Sequence, residues 1–176
     1  MIKTILCLAM LFLNNTISKQ LSSSELPTLS KIDIKRYSGT WFEIARLPNS
    51  FENGLKCITA TYNLRKDGKI DVLNSGHQLS DPAKINSAHG KAWIPDPKFP
   101  GRLKVQFFWP FSGDYYIIQL DENYQYVLVG DPSRKYLWIL CRTKLIEPVV
   151  YDRLVEKAKI LGFDIEKLVT VPQDCK

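Results

Sequence analysis

A chain of 176 residues with 45% hydrophobic residues has room for one domain with a sizeable core and little beyond it. Its 24 Lys and Arg against 18 Asp and Glu give a formal charge of +6, but the basic residues are interspersed with acids rather than gathered in blocks. That excludes a nucleic-acid surface built on charge and leaves only weak attraction to anionic lipid.

The first eighteen residues carry Lys3, an apolar run from Thr4 to Leu13, and Thr16-Ile17-Ser18 before Lys19. This is the layout of an export signal at 1–18, cleaved after Ser18. The run is too short for a spanning helix, which needs about 20 apolar residues. Cys7 follows Leu6 where lipid attachment needs a small residue, so a soluble, unanchored protein is expected, periplasmic or secreted. Removing the signal removes one Lys and no acid, leaving 23 basic and 18 acidic residues, a charge of +5. Residues 19–30, with their Ser run and Pro27, read as a flexible leader that drapes over the domain formed by 31–176.

Short runs rich in Val, Ile, Tyr, Phe and Trp then alternate with Gly, Pro, Asn and Asp clusters, the pattern of a sandwich or barrel. Eight strands are predicted at 40–47, 56–65, 69–77, 87–95, 102–109, 114–121, 125–131 and 136–143, with hairpin turns at Lys66-Asp67-Gly68 and Asp121-Glu122-Asn123. Consecutive hairpins favour an all-β, antiparallel, up-and-down arrangement. Closing eight strands into a barrel removes exposed edges, and the interior either fills with side chains or holds one small ligand. From Pro148 to Leu161 the period becomes helical, with Val150, Leu154, Ala158 and Leu161 on one stripe and Gly162 at the stop. That stripe must lie on the outside of the barrel. A short closing strand at 167–171 follows.

Two residues far apart in sequence organise this barrel. Trp41, in Gly39-Thr40-Trp41, lies in the first strand, and Arg142 in the last. A guanidinium stacked on an indole contributes roughly 0.5–2 kcal/mol, so the pair can close one end and make the barrel a cup. With Phe42-Glu43-Ile44-Ala45, Phe51-Glu52-Asn53-Gly54, Thr61-Tyr62-Asn63-Leu64 and Tyr136-Leu137-Trp138-Ile139-Leu140, the pattern resembles the lipocalin family in its bacterial outer-membrane and apolipoprotein D branch. The resemblance spans nearly the whole exported chain. It implies eight strands, a helix and an added strand in this order, and a calyx for a small hydrophobic molecule.

Strand side chains alternate between faces, so Trp41 and Arg142 set the parity of their own strands. Trp41, Glu43 and Ala45 are then inward on the first strand, and Tyr136, Trp138 and Leu140 on the eighth. Choosing the more apolar parity elsewhere adds Ala60 and Tyr62, Val72 and Asn74, Leu103, Val105 and Phe107, and Tyr116, Ile118 and Leu120. The fourth strand is ambiguous between Ala88, Gly90 and Ala92 and the set with His89 and Trp93. The ligand-binding candidates are Glu43, Ala45, Ala60, Tyr62, Val72, Asn74, Leu103, Val105, Phe107, Tyr116, Ile118 and Trp138, of which the resemblance itself points to Tyr62, Asn74 and Trp138. Burying twelve methylenes yields roughly 10 kcal/mol before ordering costs, against about 8 kcal/mol for micromolar binding, so a fatty acid or lysophospholipid fits. Lys98 and Arg102 are candidates to meet its head at the mouth. Glu43 is an odd inward acid, expected to hold Tyr62 or a buried water, with ligand recognition as the second role.

Beyond the signal, Cys57, Cys141 and Cys175 give one disulfide and one leftover thiol in an oxidising compartment. With Ala60 and Tyr62 inward, Cys57 faces out, within reach of a tail carrying Cys175; Cys141 also faces out, beneath the helix. The apolipoprotein D branch is similar in joining cysteines that match Cys57 and Cys175. The resemblance therefore implies that pair, with Cys141 a buried free thiol.

A carrier of a small lipid is the leading reading. An enzyme is not expected: the chain has only His77 and His89 and no nucleophile or metal motif, and His89, Glu43 and Asp114 make a poor acid/base set. No cofactor or metal is implied. The third class is an interaction module using Phe99, Trp109, Pro110 and Phe111 at the mouth, for a peripheral membrane contact or a homodimer.

Overall fold

A computed structural model describes residues 25–175; the expected export signal and the first part of the leader lie outside them. A one-turn helix α1 (Ile34–Tyr37) begins where the Asp33 carboxylate accepts hydrogen bonds from the backbone N–H groups of Lys35 and Arg36. Eight strands follow: β1 (Gly39–Arg46), β2 (Leu55–Leu64), β3 (Ile70–Gln78), β4 (Ile85–Trp93), β5 (Arg102–Phe108), β6 (Phe111–Leu120), β7 (Tyr126–Gly130) and β8 (Leu137–Cys141). Helix α2 (Pro148–Ile160), a 3-10 turn (Ile165–Lys167) and a two-residue β9 (Val169–Thr170) complete the chain. β2 to β8 pair antiparallel in sequence order, and β1 pairs with both β8 and β2. The predicted closed barrel with an outer helix is the fold, and the added strand is shorter than expected.

Register defines the two ends. Gly39 lies opposite Tyr62, Leu64 opposite Ile70, and Ile70 opposite Ala92, so the β2–β3, β4–β5 and β6–β7 turns sit at the Arg142 end. The β1–β2, β3–β4, β5–β6 and β7–β8 loops form the mouth.

Along β7 and β8, where α2 covers it, the wall is buried on both faces. Inside are Trp41, Tyr62, Val72, Leu103, Ile117, Val129 and Leu140 among others. Outside, α2 presses Leu154 and Ala158 onto Leu128, Leu137 and Ile139, all fully buried, with Val150 and Leu161 beside them. The leader is not loose once it reaches Glu25. Leu26 is 1% exposed in the outer cluster, the Leu29 N–H donates to Ile117 O, and Gly101 N–H donates to Leu29 O. A Cβ on Gly101 would lie 2.7 Å from Leu29 O, so this crossing requires glycine.

Two β-bulges reverse the expected faces, because one extra residue shifts the alternation. In β1 the register with β8 slips between Glu43 and Ala45, leaving Ala45 opposite Ile139 on the outer face and Arg46 opposite Trp138 inside. In β6 the slip falls between Ile117 and Gln119; Tyr115, Ile117 and Leu120 pack on the inner core, while Ile118 and Tyr116 pack on the outer one. Ala45, Tyr116 and Ile118 are therefore not inward, contrary to expectation. On β4, Gly90 lies opposite Val72 and Ala92 opposite Ile70, which puts Ala88, Gly90 and Ala92 inside and His89 outside.

Candidate ligand-binding calyx

Arg142 builds the closed end. Its guanidinium carbon lies 3.8 Å from the Trp41 ring centre. Its N–H groups donate to the carbonyls of Thr40, Arg36, Tyr37, Ser38 and Tyr124 at 2.8–3.2 Å. Gly39, at φ +95°, lets the chain pass here: a Cβ would lie 3.3 Å from an Arg142 nitrogen. Trp41 Nε1–H donates to Tyr37 O at 2.9 Å. Above this plug, the Tyr115 hydroxyl joins those of Tyr37 and Tyr62 at 2.6 and 2.9 Å. Burial pushes all three phenols well above their ordinary range. Tyr37 and Tyr115 are not among the expected residues, Tyr115 because the more apolar parity of β6, Tyr116, Ile118 and Leu120, is not the one that faces inward before the bulge.

The remaining candidates share the inner face: Glu43, Ala60, Tyr62, Val72, Asn74, Leu103, Val105, Phe107 and Trp138. Ala60 stands between Trp41 and Asn74 in one rung, and Asn74 stands opposite Ala88. Asn74 Oδ1 is buried with no hydrogen-bond partner among the described residues. β5 pairs with β4 only along Lys91–Trp93, and above that level Ala88 stays exposed. Phe107 packs across Gly90, where a Cβ would lie 2.8 Å from its ring.

Near the mouth, Arg46 sits between two buried acids. Its Nε is 3.1 Å from Glu43 Oε1 and 3.4 Å from Glu52 Oε2. The first contact lacks hydrogen-bond direction, and Glu43 Oε1 and Arg46 Nε are buried with no hydrogen-bond partner among the described residues. Arg46 Nη2 donates to Glu52 O at 3.0 Å, and Trp138 Nε1–H to Glu52 Oε2 at 3.2 Å. Burial pushes the Glu43 carboxyl well above its usual range, Glu52 adds to this, and Arg46 opposes it. Of the expected partners of Glu43, Tyr62 turns to Tyr115 instead, and the bulge sets Arg46 beside the carboxyl group. Phe51, from the β1–β2 loop, packs over Tyr136 and Trp138 with ring centres 5.8 and 6.5 Å away.

Phe108, Trp109 and Phe111 are 78–85% exposed at the mouth. Lys98 and Phe99, expected there, belong to the β4–β5 turn at the closed end. Arg102 starts β5 at that end as well, where it pairs with Glu25 at 2.5 Å and stacks on Phe99. Neither Lys98 nor Arg102 can meet a headgroup at the mouth. Asp114 pairs with Lys104 at 2.7 Å on the outer wall, so Glu43, His89 and Asp114 are not brought together. Cys57 is bonded to Cys175, and Cys141 is a buried free thiol.

Residues 32–173 match the family model described as a lipocalin-like domain. The outer membrane lipoprotein Blc of Vibrio cholerae is 42% identical over 146 residues, 82% of this chain and 85% of that protein. Temperature-induced lipocalin-1 of Arabidopsis thaliana is 41% identical over 159 residues, covering 85% and 83%. Mouse apolipoprotein D is 36% identical over 155, covering 84% and 80%. Among solved structures, insecticyanin of the tobacco hornworm Manduca sexta superposes with a TM-score of 0.67 at 24% identity over 84% of each chain, a likeness of fold alone. The chain belongs to the lipocalin family, in the branch that holds the bacterial Blc lipoproteins and apolipoprotein D.

Proposed function

We propose that the protein binds and carries a fatty acid or lysophospholipid in its calyx, without catalysis, at a bacterial envelope. The family at large binds small hydrophobic molecules. The observation that carries the finer reading is the inner wall around Asn74: small neighbours Ala60 and Ala88 leave room, Val72, Val105 and Phe107 supply apolar surface, and the amide offers an unsatisfied polar contact. Export and an envelope location are favoured by the signal-like start and by the name of the Blc relatives. That name denotes a lipoprotein, whereas the Leu6-Cys7 setting argues for a protein without a lipid anchor. Native mass spectrometry of protein purified from the envelope fraction tests both points. A bound lipid and an unacylated mass starting at Lys19 are expected, while an empty protein that also refuses a fluorescent lipid would overturn the carrier reading.

A second reading draws on the exposed Phe108, Trp109 and Phe111 beside Pro110 at the mouth, a patch suited to peripheral membrane contact or a homodimer. Vesicle flotation and sedimentation of Trp109→Ser against the parent protein distinguish these two uses.

A further inference from the structure

Over its upper half, the β1–β2 seam is not closed by strand pairing. β1 pairs with β2 only from Gly39 to Phe42. Beyond this, both strands bulge, β1 between Glu43 and Ala45 and β2 between Lys56 and Thr59, where Cys57 takes φ +51°. The C-terminal tail fills the gap. β9 pairs with Ala45 and Arg46, Val171 N–H donates to Ile44 O, and Cys57 N–H donates to Pro172 O. The Gln173 amide bridges Glu43 O at 2.7 Å and Ile58 O at 3.0 Å. Directly behind this plug lie the side chains of Glu43 and Arg46. The tail is therefore a piece of cup wall held by a handful of hydrogen bonds, the Lys56–Asp174 ion pair at 3.0 Å, the buried Val171 and one covalent bond, Cys57–Cys175.

We propose that this disulfide is a reducible latch, a substrate for a protein dithiol, whose cleavage frees the tail and opens a side port beside Glu43 and Arg46. Cys175, at the end of the tail, is partly exposed, which admits an attacking thiolate. Cys57 Sγ accepts the Cys175 N–H at 3.0 Å, which favours negative charge on this sulfur, and Asp174 Oδ1 at 3.8 Å opposes it; exposure therefore selects the sulfur attacked. The attack then falls on Cys175 Sγ, with Cys57 leaving as thiolate and a mixed disulfide formed to Cys175. The second thiol of the reductant displaces Cys175. Two electrons pass to the protein, both thiolates take up a proton, and the dithiol ends as a disulfide. The lower seam, the Trp41–Arg142 plug and β8 share no group with this step, so the barrel persists. The port stands on geometry alone; its effect on cargo rests on the carrier reading.

Hydrogen exchange by mass spectrometry on the whole exported protein, oxidised or treated with dithiothreitol, tests the latch. The double variant Cys57→Ser, Cys175→Ser removes reagent effects. Exchange of the Cys57 and Val171 amides is expected to quicken about tenfold or more, with Trp41 and Phe42 unchanged. Gln173→Ala, which keeps the disulfide, loosens the same amides to a smaller extent. A dansylated fatty acid leaves the reduced form about tenfold faster, a barrier change of about 1.4 kcal/mol. Unchanged exchange at Cys57 and Val171, or loss of protection throughout the barrel, would overturn the proposal. If neither form takes up the fatty acid, the exchange result still decides the latch and only the carrier reading falls.

Discussion

Arg142 and Trp41 meet at 3.8 Å across the closed end, and the same guanidinium gathers carbonyls from α1, β1 and the β6–β7 turn. Arg142→Ala removes the stacking and leaves several carbonyls without a donor. A loss of about 2–4 kcal/mol is expected in denaturant titration. Arg142→Lys should recover less than half, because an ammonium cannot present a planar fork. Lipid affinity, measured on the folded variants, stays within about twofold, since the pair lies beneath the tyrosine floor. A large affinity change at unaltered stability would move Arg142 from plug to recognition group.

Glu43 makes stability depend on pH in a stated direction. Its carboxyl is raised from 4.5, with burial the largest cause, Glu52 next and Arg46 opposing. The folded state therefore keeps a proton that the unfolded chain releases, and stability falls as pH rises through the ordinary carboxylate range toward the raised value. Glu43→Gln is permanently neutral, so its melting temperature should vary less than the parent's between about pH 5 and 8. Equal slopes for the two proteins would mean that Glu43 titrates normally, with Arg46 outweighing burial.

The same acid shows what the sequence makes legible. Trp41 and Arg142 locate the barrel's closed end, and from them alternation places Glu43 and Trp138 inside and Cys141 outside. Alternation then fails at two bulges. No residue at Ile44 or Ile118 announces an inserted position, so strict alternation puts Ala45 inside and hides Arg46, which the bulge turns toward Glu43. In β6 the more apolar parity, Tyr116, Ile118 and Leu120, is inward only at Leu120, beyond the bulge. Tyr115 and Ile117 fill the inner core, while Ile118 belongs to the outer cluster that holds Leu154, Ala158 and Phe163; the Cβ position of Gly130 lies close to both Ile118 and Phe163. A wall covered by a helix is hydrophobic on both sides, and composition cannot rank its faces. The mouth differs from expectation through strand parity. Lys98 and Phe99 follow an even-numbered strand, and even-numbered strands in an up-and-down barrel that starts at its base end at the base.

The strap across the outer wall carries a measurable share of stability. Leu26, 1% exposed, is the apolar anchor of the segment that leads into α1. Leu26→Ala should cost about 2–4 kcal/mol. Gly101→Ala, whose Cβ would meet Leu29 backbone atoms at 2.7 and 2.8 Å, should detach the same strap and speed proteolysis near Glu25. Parent-like protease resistance in both variants would show that the strap contributes nothing to the fold.

Inner and outer faces separate most cleanly in a pair of substitutions on neighbouring parts of the wall. Ala88 lies opposite Asn74 on the open side of the cup, so Ala88→Trp places an indole in the space assigned to the lipid. Because Ala88 is exposed, the barrel need not expand to accept it. Lipid affinity should fall about tenfold or more at nearly unchanged melting temperature. Tyr116 faces outward beside Arg102, so Tyr116→Ala should lower stability by about 1–3 kcal/mol through lost packing and leave affinity alone. Fluorescent-lipid titration with thermal denaturation of both variants resolves the two effects. If Tyr116→Ala abolishes uptake while Ala88→Trp preserves it, the ligand sits against the outer wall and the calyx assignment fails.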